Sequence, residues 1–310
     1  MEKSKYKFWK SSLALPIEHE SDPHYKDLVP FSPVGLERWT EEVANSEEAD
    51  LIWMGQVHDR NSHILDFPWE FPGKGIWCVD VEGDWPGKDV PQWVLNKCAA
   101  SIVMLPRQRP ACVMVRPTYS YLLAWLAKNF KDSDVTMPDQ CDFYFAGQAD
   151  PAGLRARLAA GFINAGSPGE FRVNPVWNGP TEVYQPIVQS YLLGMQQHTF
   201  VLCPGGIGKA TARFYEACLL GRIPVVMANA YVMGELEGYD MSFVIRIPEE
   251  ANPDQIARVI RQYMEKDVNA TLRLRCAAAR MYWNNVVAPY FADPTKYFIE
   301  WVETGKGWGW

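Results

Sequence analysis

The segment from Phe200 to Val226 constrains this chain most. An apolar run, Phe200–Cys203, passes directly into Pro204, Gly205, Gly206, Ile207 and Gly208. An amphipathic stretch, Gly221 and a second apolar run, Ile223–Met227, then follow. Short apolar runs bounded by turn residues and separated by a helical stretch read as parallel strands joined by a crossover helix. The same rhythm extends outward. Strands are expected at Asp50–Met54, Ile76–Val79, Ser101–Met104, Cys112–Val115, Asp142–Ala146 and Phe243–Ile247. Helices are expected at Tyr119–Asn129, Thr181–Gln197, Ala210–Leu220 and Ala270–Asn285, with another from Asn252 or Pro253 to about Lys266. One more should open with Asp150 as its cap and Pro151 at its first position, running to Asn164. Gly221 has the position of a C-terminal helix cap. Residues 1–30 show no periodicity and are expected to wrap over the surface.

Strands alternating with helices imply an α/β chain with parallel sheets. At 310 residues the chain is long enough for two domains. The polar, proline-containing stretch Lys131–Gln140 is the expected linker. That gives a first domain of 1–136, with the tail 288–310 packing back on it, and a second of 137–287. With 48% hydrophobic and 22% charged residues, each can build an ordinary core. The net charge of -7 argues against a broad basic face for nucleic acid. No run of apolar residues is long enough to span a membrane. The first ten residues carry charge with no apolar run behind them, which is not a signal-peptide pattern. The seven cysteines are odd in number, scattered and without zinc-ligand spacing. They read as reduced thiols, and a cytoplasmic location is expected.

The glycine turn carries the chemistry. Glycines at Gly205, Gly206 and Gly208 let the backbone approach a ligand closely. A helix start behind them offers free N–H groups and a positive dipole end, which suits a phosphate. The helix is expected to open immediately after the turn, and Lys209, Arg213 and Glu216 then fall on one face of it. The two cations would neutralise a diphosphate, and the carboxylate would accept from ribose hydroxyls. The competing interpretation is a plain tight turn followed by a surface ion pair. The segment is not a Walker loop, because Cys203 stands where that motif has Gly and Ala210 where it has Ser or Thr. Nor does it complete a dinucleotide fingerprint, because position 211 is Thr.

Three motifs in this order resemble the core of exostosin-like glycosyltransferases. They are Phe200-Val-Leu-Cys-Pro-Gly-Gly206, Thr211-Ala-Arg213-Phe-Tyr-Glu216-Ala217, and Gly221-Arg-Ile-Pro-Val-Val226. Phe143-Tyr-Phe-Ala-Gly147, with Arg155 and Arg157 beyond it, and Phe243–Glu249 extend the resemblance over roughly residues 140–265. The resemblance implies a GT-B fold, in which two Rossmann-like domains face each other across a cleft. It also implies a sugar-nucleotide site in the second domain and catalysis that needs no metal. By the same resemblance Arg213 contacts the diphosphate, Thr211 assists it and Glu216 holds the ribose. Gly147, Arg155 and Asn229 complete the expected donor site. The sequence departs from the family pattern at Arg222, where the family has Cys, and at Asn229, where it often has an acid.

The first domain holds the candidates for a base. Asp80, Glu82 and Asp84 end an apolar run; they would hold a divalent metal in a GT-A enzyme or supply a base in a GT-B one. His58 and Asp59 follow Trp53-Met-Gly-Gln-Val57. Carboxyl ends of strands are where open α/β sheets place their sites. Asp59, then Asp80, with His58 beside Asp59, are the expected catalytic residues. Arg107, Arg109 and Arg116 read as a solvated basic face, and Asp132 and Asp134 as solvated linker residues. The expectation is an inverting, metal-independent glycosyltransferase with no cofactor beyond its donor. It would take a UDP- or GDP-linked sugar and an unidentified hydroxyl acceptor. An epimerase of the same fold and a non-catalytic nucleotide- or glycan-binding protein are the alternatives.

Overall fold

A computed structural model describes residues 7–10, 41–57, 75–80, 100–103, 112–115, 123, 126–127, 130–131, 141–148, 153–173, 181–205, 211–230, 232–235, 238–264, 268–293, 296–297 and 299–300. The chain divides into two compact units. One comprises Met1–Tyr121, Tyr231–Glu237 and Ala288–Trp310; the other comprises Leu122–Ala230 and Gly238–Val287.

The first unit carries a parallel sheet of β1 (Lys7–Lys10), β2 (Glu41–Glu42), β3 (Leu51–Val57), β4 (Gly75–Asp80), β5 (Ala100–Val103) and β6 (Cys112–Val115). Its order is β2-β1-β3-β4-β5-β6, and every pairing is parallel. β1 lies inside the segment expected to be irregular. Its four residues are too few to show a period, yet Phe8 is fully buried, and β1 pairs with both β2 and β3. β3 also runs three residues further than expected, to Val57, and is the third strand of the chain rather than the first.

The second unit carries β7 (Phe143–Gly147), β8 (Gly169–Val173), β9 (Phe200–Leu202), β10 (Ile223–Met227) and β11 (Ile245–Ile247). Their order is β11-β10-β9-β7-β8, again all parallel. Around them lie α1 (Leu154–Asn164), α2 (Thr181–Gln197), α3 (Ala212–Leu219), α4 (Pro253–Met264) and α5 (Val268–Tyr282). A π-helical turn, Trp283–Val287, and α6 (Ala288–Ala292) follow. β7, β9 and β10 are buried along their whole length, the pattern of strands covered on both faces. Their side chains join Phe162 and Leu158 of α1 and Ile256 and Ile260 of α4 in one core. Each fully buried Phe or Ile there contributes roughly 1.5–3 kcal/mol relative to exposure.

Local signals explain the helix ends. α4 opens on a capping box: Gln255 N–H donates to Asn252 Oδ1 at 3.0 Å, and Asn252 N–H donates back to Gln255 Oε1 at 2.8 Å. α3 closes on Gly221, at φ +64°, with Gly221 N–H bonded to Cys218 O at 3.0 Å and Arg222 N–H to Ala217 O at 2.8 Å. This pair of bonds is a Schellman motif, which the glycine's left-handed backbone permits. Two helix starts depart from expectation. α1 begins at Leu154 behind Gly153, whose φ of 66° turns the chain there, rather than at Pro151; Asp150 and Pro151 lie outside the described residues. α3 begins at Ala212 because Thr211 is extended, at φ −143° and ψ 128°. Arg213 and Glu216 share a face of α3; Lys209, expected on the same face, lies outside the described residues.

Candidate functional site

In the second unit the chain passes from β7 through α1 to β8. It then returns through α2 to the other side of β7, where β9, β10 and β11 follow in turn. Counted from β7 the strand order is second, first, third, fourth, fifth. Open α/β sheets of this order bind ligands outside the carboxyl ends of the strands, where the order reverses. Here that point lies between β7 and β9, and Gly147 ends β7 while Cys203, Pro204 and Gly205 follow β9.

Arg213 reaches across this point. It stands on the first turn of α3, just after β9, and its Nη2 donates to Ala146 O near the end of β7 at 2.8 Å. Its guanidinium carbon lies 4.7 Å from the Phe145 ring centre and 5.9 Å from that of Tyr191. Gly147 makes this approach possible, since a Cβ there would stand 2.8 Å from Arg213 Nη2 and 3.0 Å from the Phe145 ring. Arg213 Nε is enclosed without a hydrogen bond. Burial disfavours the arginine's charge, but Tyr191, Cys203 and Glu216 outweigh it and raise the pKa.

A second cation stands beside it. The Arg155 guanidinium carbon is 5.6 Å from the same Phe145 ring centre, and its Nη1 donates to Gln148 O. Arg155 and Arg157 both sit in the first turn of α1, where the helix dipole is already positive and no acidic residue is present. Arg157 Nη2 donates to Glu249 O at 2.7 Å, just past β11. Three arginines thus gather at the carboxyl edge of this sheet, an arrangement suited to an anion.

Thr211 is half-buried at the start of α3, and its side chain makes no capping hydrogen bond. Asn229, just past β10, donates through Nδ2 to Glu249 Oε2. A carboxylate therefore sits against Asn229, supplied by the neighbouring strand end. Glu216 is 4% exposed, and its Oε2 accepts from the Tyr191 hydroxyl. Tyr191 was not singled out from sequence. The available signal was Glu216 itself, a carboxylate within the apolar run Phe214–Leu220, which requires a buried donor. The Cys203 thiol is pushed up to about 12 by burial, so it remains neutral and is no nucleophile.

Gly206, Gly208 and Lys209 lie outside the described residues, as do His58, Asp59, Glu82, Asp84, Arg107, Arg109, Arg116, Asp132, Asp134 and Asp150. Asp80 is the last residue of β4 and pairs in register with Val57, the last residue of β3. His58 and Asp59 therefore follow directly in sequence from the residue opposite Asp80. Among the described residues no helix is long and apolar enough to cross a membrane.

No family model matches the chain, and no curated protein matches it. Among solved structures it is similar to a glycosyltransferase from Rickettsia africae ESF-5, at 7% identity and TM-score 0.48, over 96% of this chain and 98% of that one. It is similar to the UDP complex of S. aureus MnaA, at 10% identity and TM-score 0.44, over 95% and 97%. It is also similar to TarM, at 8% identity and TM-score 0.43, over 80% of this chain and only 54% of TarM. The chain thus spans about half the length of TarM. At such identities and TM-scores no residue role passes from these structures to this chain. What the fold and the site define together is an open parallel α/β unit with a cationic switch point.

Proposed function

We propose that this chain is a GT-B glycosyltransferase that transfers a sugar from a nucleoside diphosphate to a hydroxyl acceptor. The observation that carries this reading is Arg213, which spans the β7–β9 switch point and bonds to Ala146 O. A cation held there, with glycines at the flanking strand ends, suits a diphosphate and leaves room for its oxygens. Gly147, Gly205, Thr211, Arg213 and Arg155 form the phosphate end of the site, and Gly206, Gly208 and Lys209 continue it. Asn229, with Glu249 against it, faces the donor sugar.

The reaction is direct displacement with inversion. The acceptor oxygen attacks the anomeric carbon, the bond from that carbon to the diphosphate oxygen breaks, and the diphosphate leaves with the electron pair. Arg213 stabilises the charge that develops on it, the kind of preorganised electrostatic assistance that contributes most in enzymes. A base takes the acceptor's proton. Asp59 is the first choice and Asp80 the second, with His58 orienting Asp59. On this reading Arg213 and Arg155 supply the positive charge for the diphosphate, and no metal is required.

The test is a transfer assay of the full chain with UDP- and GDP-linked sugars and a panel of hydroxyl acceptors, with and without EDTA. The expected result is acceptor-dependent release of nucleoside diphosphate that survives the chelator. Absence of release from every donor and acceptor would contradict transfer. Activity that vanishes with EDTA and returns with manganese would contradict metal independence and point to Asp80, Glu82 and Asp84.

A further inference from the structure

Arg213 lies between two aromatic rings, and one of them is itself fixed by a buried carboxylate. Tyr191, on α2, is 1% exposed. Its ring packs against Tyr144 at 6.1 Å between centres, and its hydroxyl donates to Glu216 Oε2. Glu216 stands one helical turn from Arg213 on α3, so both side chains lie on the same side of that helix. A buried carboxylate is costly unless it is paired. The Tyr191 hydroxyl and the Arg213 charge together meet that need. The phenol also stays protonated: burial raises its pKa well above the ordinary value, with Glu216 adding to the rise, so it remains a donor.

We infer that Tyr191 and Glu216 form a brace that positions the Arg213 guanidinium at the switch point. Glu216 then acts on the diphosphate through Arg213, and not as a ligand of the ribose hydroxyls. This rests on the reading that a nucleoside diphosphate binds at Arg213. Tyr191 and Glu216 are positioning residues in this arrangement. Arg213 is the group that touches ligand.

Two ligands separate the brace from a ribose contact: UDP or GDP, whichever the protein binds, and its 2′,3′-dideoxy form. Both keep the base and diphosphate, and only the first has the hydroxyls. Calorimetry on the full chain compares wild type, Tyr191→Phe, Glu216→Gln, Arg213→Ala and the Tyr191→Phe/Arg213→Ala pair, with thermal unfolding to confirm that each is folded. The brace predicts that Tyr191→Phe and Glu216→Gln each weaken both ligands by the same factor, about tenfold. It also predicts that Tyr191→Phe adds no further loss once Arg213 is gone, because its effect passes through that residue. If Glu216→Gln weakens only the ligand with hydroxyls, the carboxylate touches ribose and the brace is overturned. If Tyr191→Phe leaves both affinities unchanged, the pair is core packing and the brace is again overturned. Tyr191→Phe removes only an oxygen, so it keeps the test decisive should Glu216→Gln fail to fold. Unchanged affinity in Arg213→Ala is a separate outcome and overturns the nucleotide site itself.

Discussion

The second unit holds two enclosed arginines at different places on one sheet, and they are built differently. Arg222 precedes β10 and is 0% exposed. Its Nε donates to Met195 O at 3.3 Å, its Nη2 to Gln196 O at 2.5 Å and its Nη1 to Gly221 O at 3.4 Å. Met195 and Gln196 belong to the last turn of α2, where carbonyls lack helical partners and the dipole is negative. Nearby, Asp142 accepts from Thr199 N–H at 3.0 Å and lies 3.8 Å from His198 Nε2. Burial pushes the Arg222 pKa down, with Cys276 and Asp142 pushing back. Arg213, at the carboxyl edge, is half-buried, carries one carbonyl bond, rests on aromatic faces and leaves Nε without a hydrogen bond. One arginine has its bonding directions committed to the chain's own carbonyls. The other donates to one carbonyl and to the Tyr191 side chain, and rests against two rings that fix its plane. The contrast is between an arginine tied into the fold by carbonyls and one that the proposed function makes a ligand contact, although both are enclosed.

The largest expected effect sharpens the first half of that contrast. Arg222→Ala strands the last carbonyls of α2 in a dry environment and removes a buried charge from beside Asp142. The expected loss of stability is about 3–5 kcal/mol, the range for breaking a buried charge arrangement. Urea denaturation measures it, and nucleotide affinity of the folded protein should not change. A stable Arg222→Ala protein with weakened binding would reverse the two roles.

A smaller effect tests the second half. In Gly147→Ala the new methyl meets the tip of Arg213, a flexible group that yields more easily than backbone. Stability should change by less than about 1 kcal/mol, whereas diphosphate affinity should fall about tenfold because the guanidinium is displaced. Unchanged affinity would mean that the close approach of Arg213 to Gly147 has no bearing on binding.

Much of this architecture was legible in the sequence where the local signal was continuous. β10 coincides with the expected Ile223–Met227, and α2 with Thr181–Gln197. An uninterrupted apolar run and a long amphipathic stretch leave little ambiguity. β8, Gly169–Val173, was not expected. It is an edge strand paired only with β7, and no residue of it is fully buried, so its sequence shows no apolar run. β1 and β2 were missed because strands of four and two residues, rich in charge, carry no period. The π turn at Trp283–Val287 overlaps the end of the region read as helix to Asn285, and composition does not distinguish the two. At the site, the residue types were legible but one grouping was not. Arg213 and Glu216 were identified together, but the start of α3 was set two residues early because Thr211 carries no sequence mark of its extended backbone. Tyr191 went unnoticed because a tyrosine in the middle of a helix reads as packing until the partner of its hydroxyl is known.

The two sheets share the same reversal of strand order, between β1 and β3 in one unit and between β7 and β9 in the other. Their strand ends differ in chemistry. β7 ends on Gly147, and Gly205 follows β9, which gives access to backbone and to Arg213. β1 ends on Lys10 and β3 on Val57, and His58 and Asp59 come next in sequence. Glycine and arginine suit a phosphate, whereas imidazole and carboxylate suit proton transfer.

Diphosphate binding by Arg213 is tested by calorimetric titration of UDP and GDP into the wild-type and Arg213→Ala proteins. The affinity of the preferred nucleotide should fall by about 1.5–3 kcal/mol in Arg213→Ala, the worth of a charge-assisted hydrogen bond; the unfolding midpoint should fall as well, because buried Glu216 loses a partner, so the titration is read well below that midpoint. Equal affinity of the two proteins for both diphosphates would contradict it.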